Sequence, residues 1–111
     1  MIVRNVNRGQ ILGTAVRRAD SFGLRLRGLM FRQGLGIGEG LVIEPCKAVH
    51  THFMRFPIDV VFLDAEWRVV LVLPAMAPWR FSPQVGGARS VLELAAGAAG
   101  ATAPGDQLAV E

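Results

Sequence analysis

The chain has 111 residues, of which 51% are hydrophobic and 19% charged, and its net charge is +3 at neutral pH. This length and composition support one hydrophobic core, so we expect a single domain over residues 1–111 and exclude a disordered chain. No apolar run reaches the roughly 18 residues of a membrane-spanning helix, and the single cysteine excludes an internal disulfide.

The basic residues are concentrated in the N-terminal part. Residues 1–32 hold seven arginines and one acidic residue (+6), whereas residues 33–111 hold five basic and eight acidic residues (−3). A basic lobe can bind phosphate-rich partners, but no nucleic-acid-binding motif accompanies it, so we do not expect a nucleic-acid partner. The first residues lack the apolar segment of a signal peptide. The sequence as given therefore predicts a cytoplasmic protein, with an exported mature form as the alternative.

The first predicted elements are a hairpin and a helix. Residues 1–6 and 10–16 alternate as strands do, and Asn7, Arg8 and Gly9 between them are typical of a turn. Asp20 is a favourable N-cap, and the apolar residues that follow share one helical face as far as Phe31.

The rest of the chain predicts more strands. They cover residues 41–44, 58–63, 67–73, 89–94 and 107–110, with a long loop over 74–87 and a short helix over 95–101. Glu93, between two leucines of a strand, is expected to face solvent. Together these elements predict an α+β fold: a compact, strand-rich, mostly antiparallel, partly closed barrel with one or two short helices.

Residues 45–64 contain the features that suggest a site. This stretch holds the only cysteine, Cys46, both histidines, and Asp59 within an apolar strand. A buried carboxylate needs hydrogen bonds or a counter-charge. Its near candidates are His50, Thr51, Arg55 and the backbone N–H groups of turns.

We predict a binding groove between the Cys46–Asp59 turn and the Pro78–Arg80 loop. Its expected ligand-binding residues are His50, Thr51, Arg55, Asp59, Trp79 and Arg80. Guanidinium groups bind carboxylate or phosphate through paired hydrogen bonds, and an indole offers a flat apolar wall. The ligand would be a small anionic molecule or a peptide segment. The competing structural interpretation pairs Asp59 with Arg55 or Arg80 to fix the loop.

Two chemical alternatives remain open. Cys46 and His50 could form a reactive thiol–imidazole pair, with Asp59 orienting the imidazole, as in a hydrolase. His50 and His52, with Cys46 or Asp59, could instead bind zinc. No oxyanion hole is specified and the spacing matches no recognised zinc pattern. We therefore predict a binding or accessory domain without a cofactor rather than an enzyme.

Several segments carry a family resemblance. They are RGLMFR (27–32), GEGLVIEP (38–45), PC-x-x-VHT-x-FMRFPIDVVFLD (45–64), PWR (78–80), VLEL-x-AG (91–97) and PGDQL (104–108). In this order they resemble the small prokaryotic proteins of the domain of unknown function 192 family. The resemblance implies a compact, strand-rich domain, often exported, with no agreed biochemical role.

The resemblance constrains the site residues only partly. It includes His50 but not His52, and it supports Arg55, Asp59, Trp79 and Arg80 as motif positions without giving them roles. The chain departs from the family at Ala96, where proline is usual, and in the bland segment over residues 98–103.

Overall fold

A computed structural model describes residues 1–19, 21, 23, 28–30 and 32–111. The strands among these residues are β1 (Val3–Asn5), β2 (Gln10–Gly13), β3 (Ala15–Ala19), β4 (Glu39–Ile43), β5 (Ile58–Leu63), β6 (Val69–Met76), β7 (Ser90–Ala95) and β8 (Leu108–Val110). They form a three-stranded sheet in the order β2-β1-β8 and a five-stranded sheet in the order β3-β4-β7-β5-β6. Only the β3–β4 pair is parallel.

Strand β5 lies inside the larger sheet and is buried on both faces. Because side chains alternate along a strand, Val61 and Leu63 pack in a cluster with residues of the three-stranded sheet. Ile58, Val60 and Phe62 pack on the opposite side. That second side is covered by loop residues instead of a sheet: Leu29, Val49, Met54, Val85 and Ala88. We call it the loop face.

The predicted α+β barrel is wrong. The described residues form two open sheets that pack face to face, without barrel closure, and the elements they form are all strands. The first predicted helix, over residues 20–31, falls mostly outside the described residues. Nor does the described part of the chain hold an apolar helix long enough to cross a membrane.

The second predicted helix, over residues 95–101, is a series of turns. The N–H groups of Ala98 and Gly100 donate to the carbonyls of Ala95 and Gly97, which are turn bonds between residues three apart. Gly97 and Gly100 have φ values of 92° and 57°. This left-handed conformation interrupts a right-handed helix, so the alanine-rich composition does not produce one.

The predicted N-terminal hairpin is confirmed, but its second strand is divided. β1 pairs with β2 in the three-stranded sheet. After a bend at Thr14 the chain continues as β3, which pairs with β4 in the other sheet. The prediction of one strand over residues 10–16 therefore merged two strands of different sheets.

A buried polar network fixes the three-stranded sheet. Asn5 Nδ2 donates to Thr102 Oγ1 and to Asp106 Oδ2, both at 3.0 Å. Asp106 Oδ2 also accepts from Arg8 Nε at 2.7 Å and from the N–H of Ala103 at 3.0 Å. The Arg8 hydrogen bond is the largest of the effects that lower the pKa of Asp106 to about 2.

This network predicts a specific loss of stability in acid. The folded-state pKa of Asp106 lies below its ordinary value of 3.8, so its stabilising contribution is complete above that value and is lost as the pH falls through about 2. We expect Asp106→Asn to remove this part of the acid dependence, measured by urea unfolding between pH 5 and pH 2. Parallel curves for the wild type and the variant would contradict the assignment.

Candidate functional site

Two loops are joined edge to edge on the loop face. The N–H of Thr51 donates to the Arg80 carbonyl at 2.8 Å, and the N–H of Trp79 donates to the Thr51 carbonyl at 2.9 Å. Further bonds run from Ser82 N–H to the Val49 carbonyl and from Val85 N–H to the Lys47 carbonyl, both at 2.8 Å. The segment after β4 and the loop after β6 therefore form one hydrogen-bonded unit.

Thr51 is a structural residue of this unit and is not placed to contact a ligand. Its side chain is fully buried. Its Oγ1 donates to the Ala77 carbonyl at 2.6 Å and accepts from the N–H of Arg80 at 2.8 Å. These bonds use the hydroxyl as both donor and acceptor, so Thr51 fixes the loop that carries Trp79.

Asp59 also has a structural role. Its Oδ1 accepts from the N–H of Ala75 at 2.8 Å, and its Oδ2 accepts from the N–H groups of Gly97 at 3.0 Å and Ala99 at 2.9 Å. The expectation that turn N–H groups satisfy this carboxylate fits the geometry. No ion pair among the described residues joins Asp59 to Arg55 or Arg80. The residue is 2% exposed, so it is unavailable to a ligand.

Exposed aromatic rings gather where the two loops meet. His52 lies 4.5 Å from Phe81 and 5.3 Å from Trp79 between ring centroids, and Phe53 lies 4.9 Å from Trp79. Phe53, Trp79 and Phe81 are 48%, 53% and 76% exposed. We call His52, Phe53, Trp79 and Phe81 the aromatic patch. Contiguous exposed apolar surface of this kind marks interaction sites in soluble domains.

The backbone holds two of these rings in an unfavourable conformation. Phe53 and Trp79 both have a φ of 62°, which costs about 1–2 kcal/mol for a residue with a side chain. Trp67 and Ala75 share this conformation, but they lie in the β5–β6 hairpin, where Trp67 packs on the core. Phe53 and Trp79 instead present their rings to solvent, where core packing offers no compensation.

The surroundings of the aromatic patch are positively charged. Residues 45–58 and 67–92 contain Lys47, Arg55, Arg68, Arg80 and Arg89 but no aspartate or glutamate. Arg55 and Arg80 are exposed, and neither forms an ion pair with another described residue. Two guanidinium groups on this surface are therefore available to an anion.

A cavity of about 70 Å³ lies beneath the first loop. The described residues that line it are Gly28, Leu29, Met30, Ile43, Cys46, Ala48, Val49, His50, Met54 and Glu93. We call it the Glu93 pocket. All of these residues except Ala48 lie in the segments that carry the family resemblance. The ring of His50 lies 5.4 Å from that of His52, so His50 joins this pocket to the aromatic patch.

Glu93 was wrongly expected to face solvent. It is 2% exposed and lies on the same face of β7 as Val91, towards the loops. Its register neighbours are Leu41 on β4 and Val60 on β5, both apolar and buried. Burial raises the pKa of Glu93 to about 8. The alternating pattern of this strand gave the wrong prediction because both faces of the sheet are covered, so neither face is exposed to solvent.

The thiol–imidazole–carboxylate arrangement is not assembled. Cys46 Sγ donates to the Ala48 carbonyl at 3.0 Å. The N–H of His52 donates to Nδ1 of His50 at 3.2 Å, so this nitrogen is an acceptor and does not donate to the Asp59 carboxylate. The carboxylate of Asp59 is itself held by backbone N–H groups. The proposed triad therefore lacks its third member.

The zinc alternative also lacks a ligand set. Within the described ranges, no three side chains of histidine, cysteine, aspartate or glutamate converge as a metal site requires. The two imidazoles are neighbours, but the carboxylate suggested as a third ligand belongs to another part of the fold.

Comparisons with known proteins agree with the sequence resemblance. The family model DUF192, described as an uncharacterized ACR, matches residues 3–110. A UPF0127 protein of Thermococcus sibiricus is 34% identical over 97 residues, which are 84% of this chain and 62% of that protein. The chain thus spans less than two thirds of that relative. A UPF0127 protein of Pyrococcus furiosus is 39% identical over 82 residues, covering 69% of this chain and 68% of the relative.

Two solved structures share the fold. A protein of unknown function from Novosphingobium aromaticivorans has a TM-score of 0.83 and 24% identity, over 98% of this chain and 82% of that one. A putative transcription regulator from Sinorhizobium meliloti has a TM-score of 0.78 and 21% identity, over 97% and 89% of the two chains. At these identities the likeness extends to the fold alone.

Proposed function

Since the chain belongs to the DUF192 family, whose function is uncharacterised, we propose a function from its own surface: a binding domain for an organic anion that carries a flat apolar group. The observation that carries this proposal is the pair of strained, solvent-facing rings of Phe53 and Trp79, 4.9 Å apart. A fold holds such rings outward at a cost when something packs against them.

The charge around the rings selects the ligand. Arg80 directly follows Trp79 and its guanidinium is exposed, and residues 67–92 contain no acidic side chain. A guanidinium binds carboxylate or phosphate groups through paired hydrogen bonds. The apolar part of the ligand would lie on Trp79 and Phe53, and its anionic group would lie on Arg80.

The proposed set of residues differs from the one that the sequence predicts. Trp79, Arg80 and His50 are retained, with Arg55 at the edge. Thr51 and Asp59 are replaced by His52, Phe53 and Phe81. The same chemistry could come from a free small molecule or from the carboxyl end of a peptide with a terminal aromatic residue.

The first test is a titration followed by fluorescence. The chain has two tryptophans, so Trp67→Phe leaves Trp79 as the sole indole. We expect phenylacetate to change its emission, and neutral 2-phenylethanol and ringless acetate to act more weakly. A peptide ending in phenylalanine, with a free or an amidated carboxyl group, distinguishes the two sources of ligand.

Calorimetry then assigns the residues. We expect Trp79→Ala to weaken phenylacetate binding about tenfold, because the stacking surface is lost. Arg80→Gln should remove the preference for phenylacetate over 2-phenylethanol. Trp67→Phe is the matched control, because Trp67 packs on the side of the three-stranded sheet. Equal affinities in Trp79→Ala and the wild type would contradict the proposal.

A further inference from the structure

The Glu93 pocket contains a buried acid that has no partner among the described residues. Glu93 is 2% exposed, and its carboxyl forms no hydrogen bond or ion pair with a described residue. Asp59, at the same exposure, accepts three N–H bonds. Buried polar groups in folded proteins are almost always hydrogen-bonded, so this exception requires an explanation.

The pocket wall offers Glu93 little help. Most of the wall is apolar or sulfur-containing, including Met30, Met54 and Ile43. Its other titratable side chains among the described residues are Cys46, which donates to the Ala48 carbonyl, and His50, which accepts from the His52 N–H. No lysine or arginine of the described chain lines it. A counter-charge for Glu93 would therefore come from outside the described chain.

The size of the pocket indicates the kind of ligand. About 70 Å³ exceeds the space of one or two water molecules but is roughly half of a cavity that holds benzene. Cys46, His50 and Glu93 all line it, yet they do not converge on a common point as metal ligands. A bare metal ion is therefore poorly held, whereas a small organic group would span the space.

We propose that the Glu93 pocket binds a primary ammonium group on a short alkyl chain. The ammonium would bond to the Glu93 carboxylate, and its carbon atoms would pack against Met30, Met54 and Val49. The source could be a free small amine or the amino end of a larger molecule. This site rests on observations separate from those of the aromatic patch, so either proposal can fail alone.

The protonation of Glu93 gives the binding a distinctive pH dependence. Without ligand, burial holds the carboxyl mostly neutral below about pH 8. A cation binds the ionised form, so a proton must leave. We expect the affinity for an alkylammonium to rise from pH 6 to pH 8, by up to about tenfold per unit, and then to level off. A neutral ligand held by the protonated acid would behave oppositely.

The experiment is calorimetric titration with propylammonium, using 1-propanol as the neutral analogue, at pH 6, 7 and 8. We expect millimolar affinity for the amine, at least tenfold weaker binding by Glu93→Gln, and no pH dependence in that variant. Glu44→Gln is the control and should bind as the wild type does, because it alters a half-buried carboxylate just after β4 that pairs with Arg18 and Arg89. Because both proteins retain His50, a difference in pH dependence between Glu93→Gln and the wild type is due to Glu93 and not to His50.

A second measurement needs no variant. Repeating the wild-type titration at pH 7 in buffers of different ionisation enthalpy should show release of about one proton per amine bound. Binding without proton release, equal affinity in Glu93→Gln, tighter binding of 1-propanol, or no amine binding at tens of millimolar would each overturn the proposal. The phenylacetate results would not be affected by any of these outcomes.

Discussion

Between pH 5 and pH 8 the wild-type domain is expected to lose roughly 3 kcal/mol of its free energy of unfolding, a loss that Glu93→Gln should not show. The folded-state pKa of Glu93 is about 8, against an ordinary value of 4.5. In this range the folded chain holds a proton that the unfolded chain releases. Stability therefore falls as the pH rises from 4.5 to 8 and is constant above it.

Urea unfolding of both proteins at pH 5, 6, 7 and 8 measures this effect. Both proteins retain every other titratable group, so the difference between the curves isolates Glu93. Glu44→Gln serves again as the control and should follow the wild type. If the free energy of unfolding of Glu93→Gln and of the wild type fell equally with rising pH, the Glu93 carboxyl would already have a counter-charge in the folded chain. The pocket would then not need a ligand to supply one.

Asp59→Ala should destabilise the fold by about 4 kcal/mol, because three buried N–H groups lose their acceptor at once. These groups belong to Ala75, Gly97 and Ala99, so the change disrupts a residue of β6 and the turns after β7 together. Denaturant unfolding at pH 7 measures the loss.

A second aspartate provides a matched control for this change. Asp64 Oδ1 accepts from the N–H groups of Glu66 and Arg68, both at 2.9 Å, in an exposed turn. Water can replace that acceptor, so Asp64→Ala should cost only about 1 kcal/mol. If both variants lost the same free energy of unfolding, burial would not be what makes the Asp59 hydrogen bonds strongly stabilising.

The sequence was a good guide to strands and a poor one to their assembly. The apolar run over residues 58–63 predicts a buried strand because it is rich in β-branched residues, and β5 has those limits. The barrel and the helix over residues 95–101 were wrong. Barrel closure depends on strand pairing between distant parts of the chain, which local sequence patterns do not reveal. The alanine-rich segment forms turns because its N–H groups bind the Asp59 carboxylate and two of its glycines are left-handed.

The sequence predicted where the candidate site lies but not which residues form it. The stretch around His50 and the Trp79–Arg80 pair do lie together. Thr51 and Asp59 were assigned to the ligand because polar residues in motifs suggest binding, although their hydrogen bonds are all internal. Glu93 was missed because a period of two cannot distinguish a solvent-facing residue from one that faces a second buried layer.

The most direct test of a ligand-binding loop face uses the two indole N–H resonances in ¹H–¹⁵N spectra of one labelled sample. On titration with phenylacetate, the resonance of Trp79 should shift progressively and saturate, while that of Trp67 should stay in place. Shifts of equal size at both indoles, or at neither, would contradict the assignment of this surface as the binding site.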